Sequence, residues 1–334
     1  MAPKMPVVDV HTHMYPPAYM DLLRSRTEVP YVRSFPDDPA AGDRLVILPA
    51  EDTASTSRGR PIGSEYFDVD QKLAFMDAHD IDISMISLAN PWLDWLPSEI
   101  ASETARRVND DTEHLCADHD GRLYAFATLP LSASTAEIVE EIERVAQLKH
   151  MRGIVMGTSG LGPGLDDPAL DPVYEALQKQ DQLVVKTTIA VTRMLLAGVF
   201  DRFPKLNVLI AHSGGTLPFL AGRIESCIAH DAHLEKEGKT DDRRTVWDVL
   251  KNNVYLDAVI YAGTGLKAAV EVSGADRLMF GTDHPFFPPH NAMQKEWPSV
   301  TLNSEAVKTA FAGDTKAAEA VMGGNAIRIL RLSS

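Results

Sequence analysis

The residues best placed to do chemistry are His11 and His13, in the stretch Val7-Val8-Asp9-Val10-His11-Thr12-His13. Val7, Val8 and Val10 make a β-branched run that reads as a buried strand. Strand side chains alternate faces, so the two imidazoles point the same way. Two imidazoles on one face at a strand end can hold one divalent metal. A bare His-x-His equally fits two polar residues where a strand meets a loop. The far end of the chain shifts the balance. There Leu278-Met279-Phe280-Gly281-Thr282-Asp283 is a second apolar strand that ends in a carboxylate. His11, His13 and Asp283 together offer three nitrogen or oxygen donors to one ion. His212 closes another apolar run, Leu206 to Ala211, and Asn90 follows a third, Ile81 to Leu88. The Asn90 amide suits orientation of a substrate, or a turn before Pro91.

These groups need a frame that gathers strand ends. Strands are expected at 7–13, 81–88, 122–130, 151–157, 182–185, 206–212, 253–257 and 276–283, separated by helical patterns that include 98–119, 137–150, 168–179, 186–200 and 217–230. That alternation argues for a parallel (β/α)₈ barrel over a single domain, residues 1–334, with function at the C-terminal strand ends. His11, His13, Asn90, His212 and Asp283 all fall there. If the sheet closes, the first and last strands become neighbours. Residues 27–66 are rich in Pro, Asp, Ser, Gly and Arg and read as a long loop inserted after the first strand. Within it, the guanidinium of Arg60 suits a carboxylate, or simply solvent. The glycine-rich stretch Thr158 to Gly164 does not open into a helix, so it is not a dinucleotide fingerprint. His114, His119, His230 and His233 read as surface residues. The fifth strand is abrupt, because Val185 meets Lys186 and the next helix with almost no loop.

The chain has 334 residues, 45% of them hydrophobic, a common size for one α/β barrel. A formal charge of −15 argues against nucleic acid and anionic membranes. It leaves room for a small anionic substrate, since a metal and a few arginines can reverse the local potential. Two cysteines, Cys116 and Cys227, suit a reducing compartment. With no signal-like leader and no membrane-length apolar run, a soluble cytosolic protein is expected.

The motifs Val-Asp-Val-His-Thr-His (8–13), Ala-His-Ser-Gly-Gly (211–215) and Phe-Gly-Thr-Asp-His-Pro-Phe (280–286) resemble the metal-dependent decarboxylase branch of the amidohydrolase superfamily, which includes aminocarboxymuconate-semialdehyde decarboxylase. More narrowly, 87–92, 157–162 and 217–225 look like fungal 6-methylsalicylate decarboxylases, and nearly as much like fungal uracil-5-carboxylate decarboxylases. The resemblance implies a TIM barrel of amidohydrolase type. It implies zinc, with manganese as the alternative, held by His11, His13 and Asp283. It makes Asp283 and His212 catalytic and puts Arg60, Asn90 and Phe286 on the substrate. Arg223 matches an arginine that reaches a neighbouring subunit's site, which implies a homodimer. The implied reaction is non-oxidative decarboxylation of a small aromatic carboxylate. 6-Methylsalicylate, giving m-cresol in patulin-type polyketide biosynthesis, comes first; uracil-5-carboxylate is the alternative. Hydrolysis of a lactone or amide is the competing enzymatic reading.

One departure from the family pattern is large. The family carries another metal-binding histidine after the fifth strand, in a His-Pro-His-Tyr-Gly-like segment. Here that segment is absent, an apparent deletion at Val185–Lys186. It adds a further expectation: a catalytically impaired barrel that serves only as a dimer partner.

Overall fold

Eight short apolar runs pair into one parallel sheet, and three further short strands make a separate antiparallel sheet. In this computed structural model, which describes residues 4–38, 41–56, 58–157, 164–236, 243–289 and 296–332, the strands are β1 (Val8–His13), β2 (Tyr31–Arg33), β3 (Arg44–Val46), β4 (Arg60–Pro61), β5 (Ile83–Ser87), β6 (Leu123–Thr128), β7 (Met151–Val155), β8 (Leu183–Lys186), β9 (Val208–Ile210), β10 (Val254–Asp257) and β11 (Leu278–Met279). The large sheet runs β1-β5-β6-β7-β8-β9-β10-β11. Every residue of β5 and β6 is buried. Side chains fill the inside and helices cover the outside, so such strands read as continuous apolar runs. Val10, Met85, Phe126, Leu209 and Met279 belong to one buried cluster, which the C-terminal helix joins through Ala326 and Leu330.

The sheet closes into a barrel, as the sequence implied. Backbone bonds run from Val10 N to Phe280 O (3.0 Å), from Asp283 N to His11 O (2.8 Å) and from His13 N to His284 O (2.7 Å). The closing strand is shorter than the expected 276–283. Past Met279 it leaves the β10 ladder because Asp9 captures it. The buried Asp9 carboxylate accepts from the Thr282 backbone N–H at 3.0 Å and the Thr282 hydroxyl at 2.6 Å. It also accepts from the His11 N–H at 3.2 Å. Gly281 lets the two segments pass, since a Cβ there would lie 2.9 Å from the His11 Cβ.

Several expectations need correction. The insertion 27–66 is not only loop, because β2, β3 and β4 form an antiparallel sheet within it. Val32, Leu45 and Ile62 of this segment pack with Tyr15, Tyr19 and Leu88 in a second core cluster. Runs of two or three residues are too short for a strand pattern to register. Lys186 belongs to strand β8, and the helix expected to run from 186 to 200 starts at Thr188 and ends at Leu196. Gly198, at φ 66°, separates it from a short turn of helix over Val199–Arg202. A single residue, Thr187, therefore joins the fifth barrel strand to its helix. The helix expected over 137–150 ends at Val145. The sixth strand stops at Ile210, so His212 sits beyond it in a 3₁₀ turn. Residues 158–163 of the glycine-rich stretch lie outside the described residues. No helix among the described residues is long and apolar enough to cross a membrane.

Thr282→Val keeps the side-chain shape and removes one of the three donors to a buried carboxylate. It is expected to lower the unfolding free energy by about 1–3 kcal/mol. Urea titration measures this, and a loss below about 0.5 kcal/mol would mean that the Asp9–Thr282 hydroxyl bond is not a main closure of the barrel.

Candidate active site

The closure of β1 on β11 sets the site. His11 Nε2 and His13 Nε2 each lie 3.3 Å from Asp283 Oδ1. His212 Nε2 lies 3.8 Å from the other carboxylate oxygen. His11 stacks on His212 with ring centroids 5.2 Å apart, and meets His13 edge-on at 5.0 Å. Asp283 is buried, while the His212 side chain is 56% exposed, at the rim. Donor atoms of His11, His212 and Asp283 all fall within 4.8 Å of one another, the spacing of a metal-ligand group. The expected set held His13 rather than His212; the structure gathers His11, His13 and His212 around the Asp283 carboxylate.

Charges in the site are tightly managed. Burial opposes a charge on His11. The hydrogen bond to Asp257 outweighs it, with the nearby charges of Asp257, Asp283 and Asp9, and the group rises to about 9. His11 Nδ1 donates to Asp257 Oδ2 at 2.6 Å. Asp257 also accepts from the backbone N–H groups of His212 (3.0 Å) and Ser213 (2.8 Å). Those two residues have φ of 57° and 52°, so this carboxylate braces a strained turn. Burial keeps His13 below the usual histidine range, and the charge on His11 adds to that. Asp283 goes the other way. Burial would raise it, but the His13 and His212 imidazoles beside it and the charge of His11 hold it well below the carboxylate range.

The hydrogen bonds also report whether a cation fits. The Ser87 hydroxyl donates to the Thr12 carbonyl at 3.2 Å, and its oxygen lies 3.2 Å from His13 Nδ1. With Nδ1 of His13 beside Ser87, its Nε2 faces the Asp283 carboxylate. An imidazole nitrogen and a carboxylate oxygen 3.3 Å apart are both ligand atoms for one divalent cation. Asp257 behind His11 is the kind of partner that orients a metal-bound imidazole. The donor set therefore fits a metal.

Below the ligands sits a fully buried pair, Lys72 and His284, with Lys72 Nζ donating to His284 Nδ1 at 2.7 Å. Burial pushes Lys72 down and Asp9 up, and their opposite charges resist both shifts.

A cavity of about 270 Å³ opens in front of the histidines. Trp92, Phe126, Phe286 and Phe287 supply aromatic walls, and Asn90, Ser87, Lys186 and Thr187 supply polar ones. Phe286 meets His13 edge-on at 5.4 Å. Arg60 is not among the described lining residues and pairs with Glu51 at 2.6 Å. Arg223 is exposed on the helix Leu217–Ala229, also away from the lining. His114, His230 and His233 are exposed. Sequence reasoning missed Asp257, Ser87 and Lys186. Asp257 and Lys186 each end an apolar strand run, the same signal that singled out Asp283.

Comparison with known proteins bears on this site. Residues 8–332 match the family described as Amidohydrolase. A solved structure, Metarhizium anisopliae IDCase in apo form, is 50% identical, with a TM-score of 0.92 and 98% of each chain covered. The 2-amino-3-carboxymuconate-6-semialdehyde decarboxylase of Dictyostelium discoideum is 26% identical over 82% of this chain and 79% of its own. The gamma-resorcylate decarboxylase of Rhizobium sp. is 28% identical over 71% of this chain and 82% of its own.

The raised His11 group makes metal-free stability depend on pH. Its folded value, about 9, exceeds the ordinary 6.5. The stabilisation is complete below about pH 6.5 and is lost as pH rises through about 9. Chelator-treated protein is expected to lose Tm across that window, and Asp257→Asn to flatten the loss. A flat wild-type profile would show that His11 is neutral without metal.

Proposed function

The chain belongs to the Amidohydrolase family, and from that premise we propose that it removes CO₂ from a small aromatic carboxylic acid by a metal-dependent, non-oxidative route. One observation carries the reading: His11, His13 and His212 converge on the buried Asp283 at the wall of an aromatic-lined cavity. Two curated relatives are named decarboxylases, of different acids. A divalent metal held by His11, Asp283 and one or both of His13 and His212 would act as a Lewis acid toward the carboxylate and a ring oxygen beside it. Zinc and manganese both suit such a donor set.

The chain's own residues do the rest. Losing CO₂ leaves negative charge on a ring carbon, so protonation of that carbon must come first. Asp283 faces the cavity and delivers this proton. His212, half exposed at the rim and 3.8 Å from Asp283, brings it in from solvent. A carboxyl group held as acidic as Asp283 gives up a proton readily once it has one. Phe286 packs on the ring and Asn90 orients it. Arg60 reaches an anionic substituent only by leaving Glu51. 6-Methylsalicylate and uracil-5-carboxylate both place an oxygen next to the carboxylate and are the two candidate acids.

The assembly proposed is a homodimer, with the helix Leu217–Ala229 at the contact. Phe219, 88% exposed, and Arg223 lie on that helix. A second reading has one observation in its favour. Between β8 and the helix Thr188–Leu196 there is no histidine; Lys186 ends the strand and Thr187 alone follows it. The chain would then bind metal weakly and act only as a partner in a dimer.

With zinc or manganese added, the purified chain is expected to release CO₂ from one of the two acids. Asp283→Asn should abolish turnover, and His212→Ala should slow it by about 10²–10⁴. Folded protein that stays metal-poor with zinc or manganese added, and turns over neither acid, would support the second reading. Light scattering is expected to show a dimer that Phe219→Glu converts to monomers. An unchanged mass would remove that helix from the contact.

A further inference from the structure

We propose that Lys186 holds the carboxylate of the bound acid and sets the preference of this cavity for acids over their neutral analogues. The inference rests on the reading of the cavity as a site for a ring acid, and names the residue that recognises the acid group. Lys186 is the last residue of β8, is 2% exposed and lines the cavity. Its Nζ donates to the Gly157 carbonyl oxygen at 3.2 Å. An ammonium has three N–H donors, so two remain for a ligand. Among the described residues, no carboxylate oxygen lies within 4.0 Å of this amine.

The balance of charge in the cavity points the same way. Asp257 and Asp283 both line it, and an acid substrate adds a third negative group. The arginines expected to meet the substrate, Arg60 and Arg223, are not among the described lining residues. Lys186 is the one amine or guanidinium among them. Burial holds it well below the usual lysine range, with Asp94 pulling the other way. A buried amine whose neighbouring carboxylate, Asp94, makes no ion pair with it is unfavourable, and a carboxylate ligand supplies the missing contact. A carboxylate has two oxygens, so one can face the histidine–Asp283 cluster while the other takes the lysine.

Benzoate and its neutral isostere benzamide separate this role from general packing. Calorimetric titration of the metal-loaded chain is expected to show benzoate bound at least about tenfold more tightly than benzamide, the range of a charge-assisted hydrogen bond. Lys186→Met should lower that preference about tenfold with metal content unchanged, and Lys186→Arg should keep most of it. If the methionine variant does not fold, Lys186→Gln gives the same readout. A neutral variant that keeps the wild-type preference overturns the role of Lys186 and leaves the ring-acid reading standing. A wild type with no preference for benzoate overturns both.

Discussion

Asp9 is a carboxylate with no exposed surface, placed between the first and last strands of the barrel. Burying such a group is unfavourable unless its oxygens find donors. It finds them on both sides of the seam, at the His11 and Thr282 N–H groups and the Thr282 hydroxyl. Satisfying this carboxylate joins the two ends of the chain across more than 270 residues of sequence separation. It also fixes where His11, His13 and Asp283 stand. Gly281 removes the one side chain that would hold the segments apart. The donor cluster is a consequence of how the barrel closes.

The same economy of polar groups runs through the site. Asp257 touches His11 with one oxygen and braces the His212 turn with both. Ser87 bridges the Thr12 carbonyl and His13 Nδ1, while His13 Nε2 faces Asp283. Each of these groups serves more than one partner, so the imidazoles are oriented before any ligand arrives. The cavity in front of them is lined mostly by apolar and aromatic side chains. Low polarity there strengthens every charge interaction made inside it. A net charge of −15 on the chain therefore says little about the field at this point.

Strands and helices were legible where the pattern was long. β5 and β6, buried on both faces, announced themselves as apolar runs. The small sheet of the insertion did not, since β4 is two residues long and includes a proline. Lys186 was read into a helix because a charged residue after Val184-Val185 looks like the end of a buried strand. The structure keeps it in the sheet and buries it. Asp257 ends a strand run as Asp283 does, but its bond to His11, 246 residues away, exists only in the folded chain.

The sequence by itself determined the alternation of strands and helices, the barrel it implies, and the residue types at each strand end. These are local properties, set by hydrophobic period and by where a polar residue interrupts it. Tertiary structure decided which strand ends face one another and how far apart they stand. It drew His212 into the His11–Asp283 group, paired Arg60 with Glu51 and turned Lys186 into the cavity wall. Those outcomes depend on ring closure and on donors and acceptors that meet only once the chain has folded. Spacing along the sequence carries no record of them.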